Sequence, residues 1–121
     1  MAILLVTHDW GVVADICDRA VVMYAGQIVE SAGLSAMFHS PLHPYTEALL
    51  ASNPHHATEA GNLPAIPGSV PQPGHWPDGC HFHPRCSYAT DACRLGWIPL
   101  ERPTPEHATR CIYYERVAVA R

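Results

Sequence analysis

The sequence predicts an α/β fold in the first half of the chain and an irregular, proline-rich tail in the second. Three observations carry this. Ile3-Leu4-Leu5-Val6 is a short unbroken apolar run, as expected of a parallel strand covered on both faces. Helical spacing and then a strand, turn and strand pattern follow it. Beyond Asn53 the composition shifts, with nine of the twelve prolines falling between Pro64 and Pro105, so regular elements there are hard to place.

The elements follow in order. The first strand ends at Thr7-His8-Asp9, and Asp9 is a suitable N-cap for a helix over Trp10 to Cys17, where Val13, Ile16 and Cys17 recur on one face. Ala20 to Tyr24 reads as a strand, and Ala25-Gly26 as a two-residue hairpin turn into a further strand, Gln27 to Glu30. Two short helices are expected over Leu34 to Phe38 and Tyr45 to Leu50. Between them lies Ser40-Pro41-Leu42-His43-Pro44, with Pro44 placed to open the second helix. The tail is expected to be loops, with at most a short helix near Ser87 to Cys93. The chain thus changes character twice, near Gly33 and beyond Asn53-Pro54.

Composition excludes several function classes. The chain has 121 residues and a net charge of −4, with seven arginines and no lysine, so it lacks the basic stripe that neutralises nucleic-acid phosphates. The apolar stretch Ala2 to Val6 is far too short for a membrane span and has neither the basic flank nor the cleavage site of a signal peptide. A cytosolic location is expected, where a tight cysteine group more often binds metal or is redox-active than forms disulfides.

Two places carry chemistry. Thr7-His8-Asp9 lies at the C-terminal end of a predicted strand, the edge where open α/β sheets bind ligands, although a histidine there also serves simply to bond a nearby carbonyl. Cys80, Cys86, Cys93 and Cys111 stand as C-x5-C-x6-C-x17-C, while Cys17 lies apart in the helical pattern and reads as packing. Four thiolates converging from irregular loops suit a 4Fe-4S cluster. Structural zinc is the alternative, although its usual knuckles begin with closer pairs. His81 and His83 are candidates to replace one thiol or to donate to it, or are ordinary loop histidines. Arg85 and Arg110, each directly before a cysteine, could offset thiolate charge or be solvated.

A resemblance organises these features. Ile3 to Asp9 followed by Val21-Val22-Met23-Tyr24-Ala25-Gly26-Gln27-Ile28-Val29-Glu30 resembles the end of an ABC-transporter nucleotide-binding domain, a P-loop NTPase. Ser40-Pro41-Leu42-His43-Pro44-Tyr45-Thr46-Glu47-Ala48-Leu49-Leu50 looks like the linker that follows this domain in ATPase subunits of dipeptide, oligopeptide and nickel importers. Leu63 to Pro71, Gly79 to Cys86, Cys93 and Arg110-Cys111 are similar to the C-terminal extension of the same subunits.

The resemblance implies that residues 1–32 end an ABC ATPase core, 33–59 form a helical linker and 60–121 form the four-cysteine extension. By the same resemblance His8 would be the switch histidine, contacting the γ-phosphate of ATP, with Mg2+ as companion ion, and orienting the attacking water. The implied partners are ABC permease subunits and a second ATPase subunit, at the cytoplasmic face of the membrane. The sequence has no lysine, no G-x-x-x-x-G-K-[ST] loop and no Leu-Ser-Gly-Gly-Gln-like signature, so this chain alone is expected to be a C-terminal portion without ATPase activity. Without its sheet partners, the part up to residue 32 is expected to be poorly stable. The alternative is an independent iron-sulfur or zinc module with a structural or redox-sensing role.

Overall fold

The computed structural model describes residues 1–53 and 64–119. Its regular elements are α1 (Trp10–Ile16), β1 (Arg19–Tyr24), β2 (Gln27–Gly33), α2 (Leu34–His39), α3 (Pro44–Ala51), β3 (Glu101–Thr104), β4 (His107–Thr109) and α4 (Tyr114–Val119). Single 3-10 turns cover His83–Arg85 and Asp91–Arg94. The strands form one antiparallel sheet in the order β1-β2-β4-β3.

Several elements arise from local chemistry. Asp9 caps α1, its Oδ1 accepting from the Gly11 and Val12 amides at 2.8 and 3.3 Å. Ala25 (φ 46°) and Gly26 (φ 79°) make the left-handed turn that joins β1 to β2 with the natural strand twist. Pro44 stands at the first turn of α3, where its missing amide hydrogen costs nothing. Its N-cap is His43, whose Nδ1 accepts from the Tyr45 amide at 3.1 Å.

Two expectations are corrected. Residues 1–7 form neither strand nor helix, and their apolar side chains lie open, with Leu4 at 92% exposure. An apolar strand buried on both faces needs a neighbour on each edge, and the described residues supply none to this run. The tail is also more regular than its prolines suggest. It closes the sheet, with Glu30, Ser31 and Ala32 of β2 paired to Thr109, Ala108 and His107 of β4, and β3 added outside β4. Pro103 lies on the edge strand β3, where a missing donor is tolerated.

The core is built from both halves of the sequence. Val22, Tyr24, Val29 and Ala32 of the sheet pack with Met37 of α2 and with Phe82 of the tail, and Tyr45, Leu49, Ile66, Cys80 and Cys86 press against them. Tyr24 and Phe82 meet edge to face with ring centroids 5.3 Å apart. A bulge shifts the β1–β2 register between Val22 and Met23, whose partners are Glu30 and Ile28. Strict alternation would place Val29 and Glu30 on opposite faces, yet both are buried.

A four-cysteine cavity beside a buried glutamate

The four cysteines of the tail line one narrow cavity. Cys80 precedes the turn at His83–Arg85, Cys86 caps its end, Cys93 lies in the turn at Asp91–Arg94, and Cys111 follows β4. The first and third loops are tied together by the Cys80 amide, which donates to the Cys93 carbonyl at 2.8 Å. Gly79 makes this approach possible: it has φ +74°, and a β-carbon there would collide with the same carbonyl oxygen. Beside the cavity, the hydroxyls of Thr90 and Tyr113 bond at 2.7 Å and join the Cys93 loop to the Cys111 segment.

All five cysteines are free thiols, so the four are not used up as disulfides. Burial, foremost, pushes Cys86 up to about 11 and Cys111 up to about 12, with proximity of the other thiols adding to the rise. Cys80 is raised by burial as well. Backbone amides oppose this rise: Phe82 and His83 donate toward Cys80, Tyr88 and Ala89 toward Cys86, and Tyr113 toward Cys111. Amides aimed at sulfur favour the thiolate, the form that ligates metal. Among the described residues, no group of three or more His, Cys, Asp or Glu side chains is placed to hold a single metal ion. The four thiols share one narrow space, and backbone amides are directed at three of them, Cys80, Cys86 and Cys111.

The two arginines of the Arg-Cys pairs divide in role. Arg110 lines the cavity, donates to the carbonyls of Ile28 and Ile98 at 2.8 Å each, and stacks on Trp97 at 4.8 Å. It brings a fixed positive charge to a thiol-rich wall. Arg85 points away and fastens the proline-rich loop to the sheet, donating to Pro67 and Ile66 carbonyls and to the Tyr24 hydroxyl. The histidines divide likewise. His81 bonds the Ala25 carbonyl at 2.7 Å, whereas His83 lines the cavity with its Nδ1 buried and unpartnered. Burial, and then the charge of Arg94, lower the His83 pKa.

Sequence reasoning missed the group behind the cavity. Glu30 is wholly buried; its carboxylate accepts from the Leu42 amide (2.7 Å), the His43 amide (3.0 Å) and His107 Nε2 (2.6 Å). These bonds join β2, the α2–α3 connector and β4. His43 is itself buried and lines the cysteine cavity, with Nε2 lacking any partner. Burial, and then the Arg110 charge, lower its pKa to about 3. The one available signal was a glutamate ending the apolar stretch Ile28-Val29, which periodicity alone reads as a solvated strand end. Cys17, expected to pack, is only half-buried. His8 lies on the exposed N-terminal segment, far in sequence from the cysteines, and beside it the Asp9 amide donates to the Thr7 hydroxyl at 3.1 Å.

Among the described residues no helix is long and apolar enough to cross a membrane. Residues 29–93, more than half the chain, match the family model described as oligopeptide/dipeptide transporter, C-terminal region. A relative in Brucella ovis is 47% identical, with 98% of this chain and 37% of that protein aligned. One in Brucella melitensis biotype 1 is 45% identical over 92% of this chain and 33% of its own length. Both carry the provisional name of peptide import ATP-binding protein. The chain thus spans about a third of the length of these curated relatives.

Proposed function

Since this chain belongs to the oligopeptide/dipeptide transporter, C-terminal region, family, we propose that it acts as the C-terminal part of the ATP-binding subunit of an ABC importer for dipeptides, oligopeptides or nickel. The observation that carries this is the match over residues 29–93, which takes in the connector around His43 and three of the four cavity cysteines. The open apolar segment Ile3 to Val6 agrees with it, because in such a subunit that segment would complete the sheet of the nucleotide-binding domain. ATP with Mg2+ would bind at the phosphate-binding loop of that domain, and permease subunits and a second ATPase subunit would complete the assembly on the cytoplasmic side of the membrane.

In this reading the three regions are residues 1–32 as the end of the ATPase core, 33–59 as linker and 60–121 as the cysteine-bearing extension. His8, just after the open apolar segment, would reach the γ-phosphate and hold the attacking water, a positioning role without covalent chemistry. Cys80, Cys86, Cys93 and Cys111 would hold a 4Fe-4S cluster, with zinc as the alternative occupant of the same thiols. The free thiols, their shared cavity and the amides directed at the sulfurs support this. Such a cluster would brace the proline-rich loops and could exchange one electron.

The test of the ATPase reading is a chimera in which the N-terminal two thirds of the Brucella ovis relative precedes this chain. We expect it to hydrolyse ATP and His8→Ala to lower kcat on the order of 10²-fold with little change in nucleotide affinity. A chimera that binds ATP and is unaffected by His8→Ala contradicts the assignment of His8.

A further inference from the structure

The cysteine cavity has a polar wall group that thiol ligation does not use. His43 is 1% exposed, lines the cavity beside Phe82 and the cysteines, and leaves Nε2 without a partner. Its protonation is fixed by geometry. Nδ1 accepts the Tyr45 amide at 3.1 Å, and a backbone amide can only donate, so Nδ1 carries no proton and the neutral ring carries its hydrogen on Nε2. The ring is also held in place, because its own amide donates to Glu30 Oε2 at 3.0 Å and its side chain caps α3.

A buried N–H donor without an acceptor is rare in a folded protein and calls for a partner. No cysteine sulfur lies within hydrogen-bond reach of Nε2, so the partner would be a sulfur of a cluster bound in the cavity that the ring lines. We propose that His43 Nε2–H is a preset hydrogen-bond donor to the sulfur, thiolate or sulfide, of the cluster held by Cys80, Cys86, Cys93 and Cys111, and that it raises the cluster's electron affinity. The proposal rests on the cluster reading given above. A donor to sulfur stabilises the more negative, reduced state, which moves the reduction potential upward. His43 acts here through the ligands and is a tuning residue, not a ligand.

The other polar groups near the cavity already have partners: Arg110 donates to the Ile28 and Ile98 carbonyls, and the Thr90 hydroxyl bonds Tyr113 and lies 4.0 Å from Cys93 Sγ. His83 also lines the cavity, but it is only partly buried and its ring donates to the Asp78 backbone. It is therefore the control.

The test uses the full chain purified without air and loaded with iron and sulfide. His43→Asn keeps an N-cap acceptor for the Tyr45 amide and removes the donor that reaches the cavity. We expect His43→Asn to retain the iron and sulfide content and the far-ultraviolet circular dichroism of the parent while its reduction potential moves to more negative values. An unmoved potential in a loaded, folded His43→Asn overturns the proposal and leaves the cluster reading intact. A second measurement stands if that variant does not fold. In a His83→Asn background labelled with ¹⁵N-histidine, the reduced cluster should show a weak nitrogen coupling in pulsed electron paramagnetic resonance, and its absence also overturns the proposal. Failure of the parent chain to take up iron and sulfide overturns the cluster reading and, with it, this one.

Discussion

At the scale of single residues, His43 does two jobs that sequence inspection treats as one proline-bounded connector. It caps α3 through Nδ1, and its ring lines the cavity with Nε2 buried and unpartnered. Its burial also makes the metal-free fold sensitive to acid. In the unfolded chain the ring takes up a proton as the pH falls through 6.5, whereas in the folded chain it does so only near 3. The stability this provides is complete above pH 6.5 and is lost as the pH falls toward 3. Urea midpoints of the metal-free parent should therefore fall more steeply between pH 7 and 4 than those of His43→Asn; parallel pH profiles would contradict the burial of the neutral ring. Glu30 is the complement to this residue. It is buried as an acceptor of three hydrogen bonds, which is how a carboxylate is tolerated inside a protein.

At the scale of elements, what could be read in the sequence was what neighbouring residues decide. The Asp9 cap, the Ala25-Gly26 turn and Pro44 at the start of α3 are all local chemistry, and the structure has each of them. Pairings between distant segments were not legible. β4 is three residues long, too short for a period-of-two pattern, and its pairing with β2 depends on contacts 77 residues apart, such as His107 with Glu30. The four cysteines were found by their spacing, and the cavity brings them together. Their hydrogen-bonding environment was hidden, because amides near sulfur arise from loop conformation rather than residue type. Gly79 is the element-scale test of that conformation. Gly79→Ala should break the close contact of the Cys80 and Cys93 loops, lower the melting temperature and abolish most iron and sulfide uptake; the obstacle is backbone, which cannot rotate aside as a side chain would. Full uptake in Gly79→Ala would contradict the link between that loop contact and the site.

At the scale of the molecule, the chain has a shared core with one open end. Phe82 of the tail packs with Val22, Tyr24 and Val29, so the cysteine-bearing region and the β1–β2 hairpin should unfold together. Residues 1–7 and α1 are different, since α1 has no fully buried side chain and touches the core chiefly through the half-buried Trp10, edge to face with Phe38. Amide exchange should be fast through Ile16 and slow in β1, β2 and β4, a narrower unprotected region than the whole of residues 1–32. Slow exchange between Ala2 and Val6 would show that this segment has a partner that the chain itself provides.

We propose that the four cysteines form one site for a cluster on the tail of an importer ATPase subunit. Anaerobic purification of the full chain followed by iron, sulfide and zinc analysis tests it most directly. The expected result is about four iron and four sulfide per chain, the composition of a 4Fe-4S cluster, with broad visible absorption that is lost when Cys86 or Cys111 is replaced by serine. A colourless protein carrying one zinc, or one in which serine at these positions changes nothing, would contradict it.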